Sequence, residues 1–164
     1  MNREERKAFV KRHRTAVFGY DSKSDGPAQS IVYYVSDGDD LLVSTMGARA
    51  KAKAALRLGK VSLCVLDEQW PPSYLVVYCN AKVETEPDAV VDLMMRIAGV
   101  MAGKEMPETV RPLVAQGAAK EGRVVLRLTP YATFHSPPRH VHSAKDIDEN
   151  NKNLLHDLGD NQPW

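Results

Sequence analysis

Cysteine is scarce: Cys64 and Cys79 are the only two, and both fall inside apolar runs, VSLCVL and YLVVYC. Free thiols in such settings behave as small hydrophobes, and two are too few for a disulfide scaffold. Neither has Cys or His companions at metal-ligand spacing, so no metal site is expected. Long hydrophobic runs are absent too. Nothing approaches the roughly 18 to 20 apolar residues that a membrane helix needs, and the N-terminus is charged, with no hydrophobic signal core. A cytoplasmic chain without a membrane partner is the expectation. The net charge is only +1, which leaves no long-range field to draw in nucleic acid, so any electrostatic recognition is local. GxSxG, Walker and GxGxxG motifs are missing, as is a Cys/His pair with a positioned acid. No side-chain nucleophile is indicated, and the sequence assigns no catalytic residue.

What remains is an ordinary globular composition, 43% hydrophobic and 26% charged, in 164 residues, enough for one domain with a core. The segment from Arg3 to Arg14 reads as a short amphipathic helix with a solvated basic face. TAVFGY, SIVYYV and LLVST follow as strands, the second and third joined by SDGDD, whose Asp-Gly favours a tight turn. From Ala48 to Leu58 the text turns helical, with Gly59 as its stop. VSLCVLD and SYLVVYCNAKVE are two more strands, separated by EQWPP, where Pro71 and Pro72 forbid regular pairing.

Ala89, Val90, Leu93, Met94, Ile97, Ala98 and Met101 then recur at helical spacing up to Gly103. A further helix runs from Pro107 to about Ala119, and GRVVLRLTPYATF is the last strand. Six strands with few crossover helices imply an α+β domain built on a mainly antiparallel, barrel-like sheet. It spans about Thr15 to Phe134 within a unit of residues 1–142. Residues 143–164 are polar and read as a tail that is mobile or docked on a partner.

The stretch STMGARAKAKAALR, residues 44–57, holds the strongest chemical signal. A strand ends in Ser44 and Thr45 and leads into a helix bearing Arg49, Lys51, Lys53 and Arg57, with no acidic residue between Leu41 and Leu66. Helix N-termini offer unpaired N–H groups and a positive dipole end, and hydroxyls and cations complete an anion site suited to phosphate. The same residues also fit a plainer arrangement, in which Ser44 or Thr45 caps the helix and the cations are solvated. Arg49, Lys53 and Arg57 lie four apart on one face while Lys51 points elsewhere. Arg49 and Lys51, nearest the helix start, are the candidates for the anion.

The segment VYYVSDGDDLLVSTMGARAKAKAALR with the following KVSLCVLD resembles the split β-barrel family of pyridoxamine 5′-phosphate oxidase-related proteins, especially its actinobacterial branch that uses a deazaflavin. The resemblance covers about Phe9 to Phe134. It implies a six-stranded split β-barrel with flanking helices, a homodimer, and a cofactor whose phosphate is held by Ser44, Thr45, Arg49 and Lys51. It implies that the ring lies against SIVYYV, at Ser30, Val32 and Tyr33, and that Trp70 and Tyr74 roof the ring from the partner subunit. For Val32 and Tyr33 plain sheet core is the competing reading, and for Trp70 a loop or interface anchor.

The implied function is an oxidoreductase in which reduced coenzyme F420 transfers a hydride to a small conjugated organic molecule. FMN is the alternative cofactor, and a non-catalytic cofactor- or haem-binding protein is the rival of another class. Arg139 and His140 are adjacent, unlike the Arg-x-His pattern of the true oxidases, so vitamin B6 oxidation is not implied. The cluster His135, Arg139, His140 and His142 lacks an acidic or Cys companion and reads as a substrate-facing or interface segment rather than a metal site.

Overall fold

A computed structural model of the chain describes residues 1–69, 72–135 and 161–164. Helix α1 (Arg3–Arg12) starts with a capping box, in which the Asn2 side chain accepts from the Glu5 N–H and the Glu5 carboxylate accepts from the Asn2 N–H. Strands β1 (Thr15–Asp21), β2 (Pro27–Tyr33), β3 (Val35–Asp37) and β4 (Asp40–Met46) follow, then helix α2 (Ala50–Leu58) and strands β5 (Lys60–Asp67) and β6 (Ser73–Glu84). Helix α3 (Pro87–Ala102), a 3₁₀ turn at Glu108–Val110 and helix α4 (Arg111–Glu121) precede β7 (Arg123–Phe134) and the short β8 (Gln162–Pro163).

All pairings are antiparallel, in the order β2-β1-β5-β6-β7-β4-β3, with β8 on β7. The curled sheet is the expected split barrel, with more strands than the six read from sequence. The extra ones arise at two places. SIVYYV is not one strand: the chain breaks at Tyr34, whose N–H donates to the Arg14 carbonyl at 3.1 Å and whose hydroxyl donates to the Val10 carbonyl at 2.7 Å. The other is Gln162–Pro163, a piece of the tail that pairs with Ala132 and Thr133.

Alternation along the strands sends one face into the barrel core, where Phe18, Leu63, Val65, Leu75, Val77, Leu126 and Leu128 are fully buried. Phe9 and Val10 of α1 plug the same core. Arg6 of that helix is 5% exposed and donates to the carbonyls of Met1 and Pro163, so the basic face is not wholly solvated as the composition suggests. A second, smaller core forms where α3 and α4 pack on Leu42 and Val125 from the opposite face of β4 and β7. The Asp-Gly turn appears as expected, with Gly38 at φ 62°, in the left-handed region that a tight hairpin loop favours.

Arg127 fixes the β3–β4 hairpin to the barrel through Asp37 (2.8 Å), Asp40 (3.1 Å) and Glu84 (2.8 Å). Both thiols are free, and burial pushes the Cys79 thiol up to about 12. No helix among the described residues is long and apolar enough to cross a membrane.

Candidate functional site

The split in the barrel is where a cleft opens. Among the described residues β2 and β4 do not pair, and a cavity of about 400 Å³ lies between their ends, the start of α2, the start of β7 and one side of α3. Its lining includes Val32, Tyr33, Ser44, Thr45, Arg49 and Lys51, six of the nine residues singled out from the sequence. Ser30 lies two residues before Val32 on β2 and is not among the lining residues. Tyr74, on β6, is not either; its ring stacks at an angle 6.4 Å from Phe134. Trp70 lies outside the described residues, as do Arg139, His140 and His142, while His135 meets the Met1 amino group at 2.8 Å.

The corner differs from the sequence reading in how it is built. Helix α2 begins at Ala50, not Ala48, because Gly47 donates to the Gly122 carbonyl at 2.8 Å and Arg49 takes extended angles, φ −73° and ψ 150°. Arg49 is therefore the N-cap and escapes the helical spacing that separated it from Lys51. Both side chains line the same cleft. Ser44 and Thr45 belong to β4, and no side chain caps α2, so the plainer capping arrangement does not occur. The Ala52 and Lys53 N–H groups already turn back to the Arg49 carbonyl, which leaves those of Ala50 and Lys51 as the outward donors.

Charge at this corner has one sign. Neither Arg49 nor Lys51 takes part in an ion pair among the described residues, and no carboxylate lines the cleft. Arg49 Nε donates to the Met46 Sδ at 3.5 Å, a weak acceptor. Lys51 Nζ sits 5.8 Å from the centre of the Phe18 ring. Its pKa is held below the ordinary lysine value, first by burial and then by the neighbouring Arg49 charge. Arg57, by contrast, turns away to the Asp21 carbonyl at 2.8 Å, and Lys53 is exposed.

Two hydroxyls are buried without any hydrogen-bond partner, Ser44 Oγ and Ser30 Oγ. Buried polar groups are seldom left unpaired, and each costs about 1 to 3 kcal/mol when they are. An orphan hydroxyl in the cleft, together with two cations that have no acidic partner and free helix N–H groups, is a donor set that a phosphate group takes up. The residues present thus fit the phosphate end of a flavin or deazaflavin.

Sequence reasoning missed two contributors. Arg123, at the start of β7, lines the cleft because its register partner is Met46 of β4; it is also ion-paired with Glu121 at 2.6 Å. That pairing joins residues far apart in the chain, and no local signal announces it. Met94, Ile97, Ala98 and Met101 of α3 form the other wall, although the periodicity alone marks them as ordinary core.

The chain matches the family described as pyridoxamine 5′-phosphate oxidase over residues 3–136. Among solved structures it is similar to a conserved hypothetical protein of Mycobacterium tuberculosis, at 19% identity and a TM-score of 0.71, covering 88% of this chain and 94% of that one. An F420 reductase aligns at 18% identity and a TM-score of 0.61, over 77% and 94% of the two chains. A haem storage protein from Vibrio cholerae aligns at 16% and 0.58, over 80% and 92%. At these identities the likeness shows the shared fold. No curated protein matches the chain.

Proposed function

Because the chain belongs to the pyridoxamine 5′-phosphate oxidase family, we propose that it is a cytoplasmic oxidoreductase that holds a phosphate-bearing deazaflavin, coenzyme F420, in the cleft at the split of its barrel. The observation that carries this reading is the buried, unpartnered Ser44 hydroxyl beside Arg49 and Lys51, with no carboxylate in the cleft. When bound, the reduced deazaflavin supplies a hydride to a small conjugated molecule.

The protein's own part is binding and orientation. Ser44 donates its hydroxyl proton, Arg49 and Lys51 neutralise charge, and the Ala50 and Lys51 N–H groups point at the anion from the helix start. Val32 and Tyr33 offer one wall for the ring. Thr45, 4% exposed near the end of β4, lines the cleft beside Ser44. FMN is the second reading, since it presents a phosphate to the same corner. Haem is the less favoured ligand, as no histidine or cysteine among the described residues lines this cleft.

Titrating the protein with coenzyme F420, FMN and haem while recording absorbance separates the three. Tight, saturable binding of F420, followed by oxidation of its reduced form with a panel of conjugated substrates, supports the proposal. Binding of haem alone removes it. A sharper check is Ser44→Ala. The hydroxyl makes no bond within the protein, so the thermal midpoint should stay unchanged or rise slightly. Cofactor affinity should fall about tenfold, the worth of a hydrogen bond to a charged group.

The functional unit we propose is a homodimer. The outward side of β1, β5 and β6 carries Val17, Cys64, Leu66, Val76, Tyr74 and Tyr78, all only partly covered except the exposed Leu66. An apolar sheet face of this extent is costly in water, and a second copy is the natural cover. Light scattering should give about twice 18.2 kDa. Val76→Asp should yield a folded monomer; a concentration-independent monomer of the unaltered chain would remove the dimer from the proposal.

A further inference from the structure

Residues 161–164 return to the barrel and meet the start of α1. Gln162 and Pro163 pair with Thr133 and Ala132 of β7, and the Trp164 N–H donates to the Tyr131 carbonyl at 3.3 Å. Trp164 packs against the main core, and the Lys7 ammonium stands 5.5 Å from the centre of its ring. Arg6 joins the two pieces. One of its guanidinium nitrogens donates to the Pro163 carbonyl at 2.7 Å and another to the Met1 carbonyl at 3.0 Å. Although Arg6 is almost wholly buried, no carboxylate pairs with it among the described residues, so its side chain depends on these carbonyls.

The fastening is specific but small. Strand β8 has two residues, both exposed, so its pairing opens at low cost. Helix α1 depends on it, because a helix of 10 residues is marginal alone and its buried apolar residues, Phe9 and Val10, both lie in the second half. Apart from its capping box, the first half is tied by Arg6 to Pro163 and by Lys7 to the Trp164 ring and to Asp39 at 2.9 Å. The other end of the helix reaches the cleft. The Val10 carbonyl, among the last four of α1 and so without an intrahelical partner, accepts the Tyr34 hydroxyl at 2.7 Å. The Arg14 carbonyl accepts the Tyr34 N–H at 3.1 Å. Tyr34 is the break after β2, and the two residues before it, Val32 and Tyr33, line the cleft.

We propose that residues 162–164 form a releasable strap that fastens the start of α1 and, through this helix and Tyr34, fixes the β2 wall of the cleft. With the strap seated, α1 holds Tyr34 at two points, and the chain turns so that Val32 and Tyr33 face the cleft. With the strap released, the first turns of α1 fray, the carbonyls of Val10 and Arg14 lose their fixed positions, and the wall loosens. The strap needs no ligand to act; only its effect on binding rests on the cofactor reading of the cleft. The Trp164 indole N–H has no hydrogen-bond partner, so the worth of this side chain lies in the packing of its ring, which phenylalanine largely keeps.

Backbone order parameters measured by NMR on the ligand-free protein test the strap. In the unaltered chain those of α1 and of Val32–Tyr34 should be about 0.85, the value of rigid backbone. In a chain ending at Asn161 the first half of α1 should fall below about 0.6, and Val32–Tyr34 should decline as well, while Leu63 and Val77 in the barrel core stay near about 0.85. Trp164→Ala should act in the same direction, and Trp164→Phe should restore the unaltered values. FMN, titrated by its fluorescence, should bind about threefold to tenfold more weakly to the shortened chain, the worth of one ordinary hydrogen bond. Tyr34→Phe cuts the link while the strap stays seated, so it should weaken FMN similarly and make loss of the strap nearly silent on affinity. An α1 as rigid in the shortened chain as in the unaltered one overturns the proposal. So does a frayed α1 beside an unchanged Val32–Tyr34, or a loss of order that reaches Leu63 and Val77 equally. If the unaltered chain takes up neither FMN nor coenzyme F420, the cofactor reading falls and the order parameters alone decide on the strap.

Discussion

Lys51→Ala should weaken cofactor binding tenfold to a hundredfold while costing no more than about 1 kcal/mol of stability, and Arg49→Ala should act similarly. The magnitude follows from contacts to a charged group, each worth about 1.5 to 3 kcal/mol when partly desolvated. Stability is largely spared because neither cation has an acidic partner to lose among the described residues, and Lys51 gives up only its contact with the Phe18 ring. Burial first, and then the Arg49 charge, hold the Lys51 pKa below the ordinary value, so its charged form is not one the folded protein favours. Fluorescence titration gives the affinities and thermal melting the stability. Lys53→Ala and Arg57→Ala should do less to FMN, because Arg57 is engaged with the Asp21 carbonyl and Lys53 faces solvent. Unchanged affinities in both Lys51→Ala and Arg49→Ala would reduce the corner to a solvated helix start.

The same shift sets a pH dependence whose sign can be worked out. A lysine whose pKa is depressed loses its proton at lower pH than a free lysine does, and an anion favours the protonated form. Affinity should therefore decline as pH rises through the lowered Lys51 value, earlier than an ordinary lysine would allow. In that range binding should take up a proton. Lys51→Arg, which stays charged, should flatten the decline; a profile unchanged by that substitution would place the titrating group elsewhere.

How much of this was legible beforehand depends on whether the deciding contact is local. The strands TAVFGY, VSLCVLD and SYLVVYCNAKVE announce themselves because alternation and β-branched residues are properties of short windows. The break in SIVYYV does not, since a continuous apolar run gives no hint that Tyr34 bonds to Arg14 and Val10, twenty or more residues away. Arg49 and Lys51 were readable as candidates from the strand-to-helix text, yet the reason they act together was not. It lies in Gly47 bonding to Gly122, which holds Arg49 extended although Ala48 and Arg49 are good helix formers. Periodicity grouped Leu93 with Met94 as one apolar helix face. Only the packed structure shows that Leu93 is wholly buried in the small core, while Met94, packed on the edge of that core, also lines the cleft.

Phe18 joins core and site, and its replacement should produce the largest loss of stability. The ring is fully buried, lies 6.0 Å from the Tyr20 ring, and pairs in register with Ser30 on one side and Leu63 on the other. Phe18→Ala opens a cavity in the barrel centre and should cost about 3 to 5 kcal/mol. At about 2 to 4 °C per kcal/mol for a chain of this size, the thermal midpoint should drop by roughly 6 to 20 °C. Phe18→Leu keeps most of the volume and should cost less than about 1.5 kcal/mol, but it removes the ring against which the Lys51 ammonium rests. A cation over an aromatic face is worth about 0.5 to 1 kcal/mol where solvent reaches it, so cofactor affinity should fall about twofold to fivefold in this folded variant. Combining Phe18→Leu with Lys51→Ala should add nothing to the loss caused by Lys51→Ala alone, because the ring acts on the ligand only through the ammonium group. Additive losses in that cycle would mean that Phe18 shapes the cleft directly, and an unchanged affinity in Phe18→Leu would mean that the ring does not position Lys51.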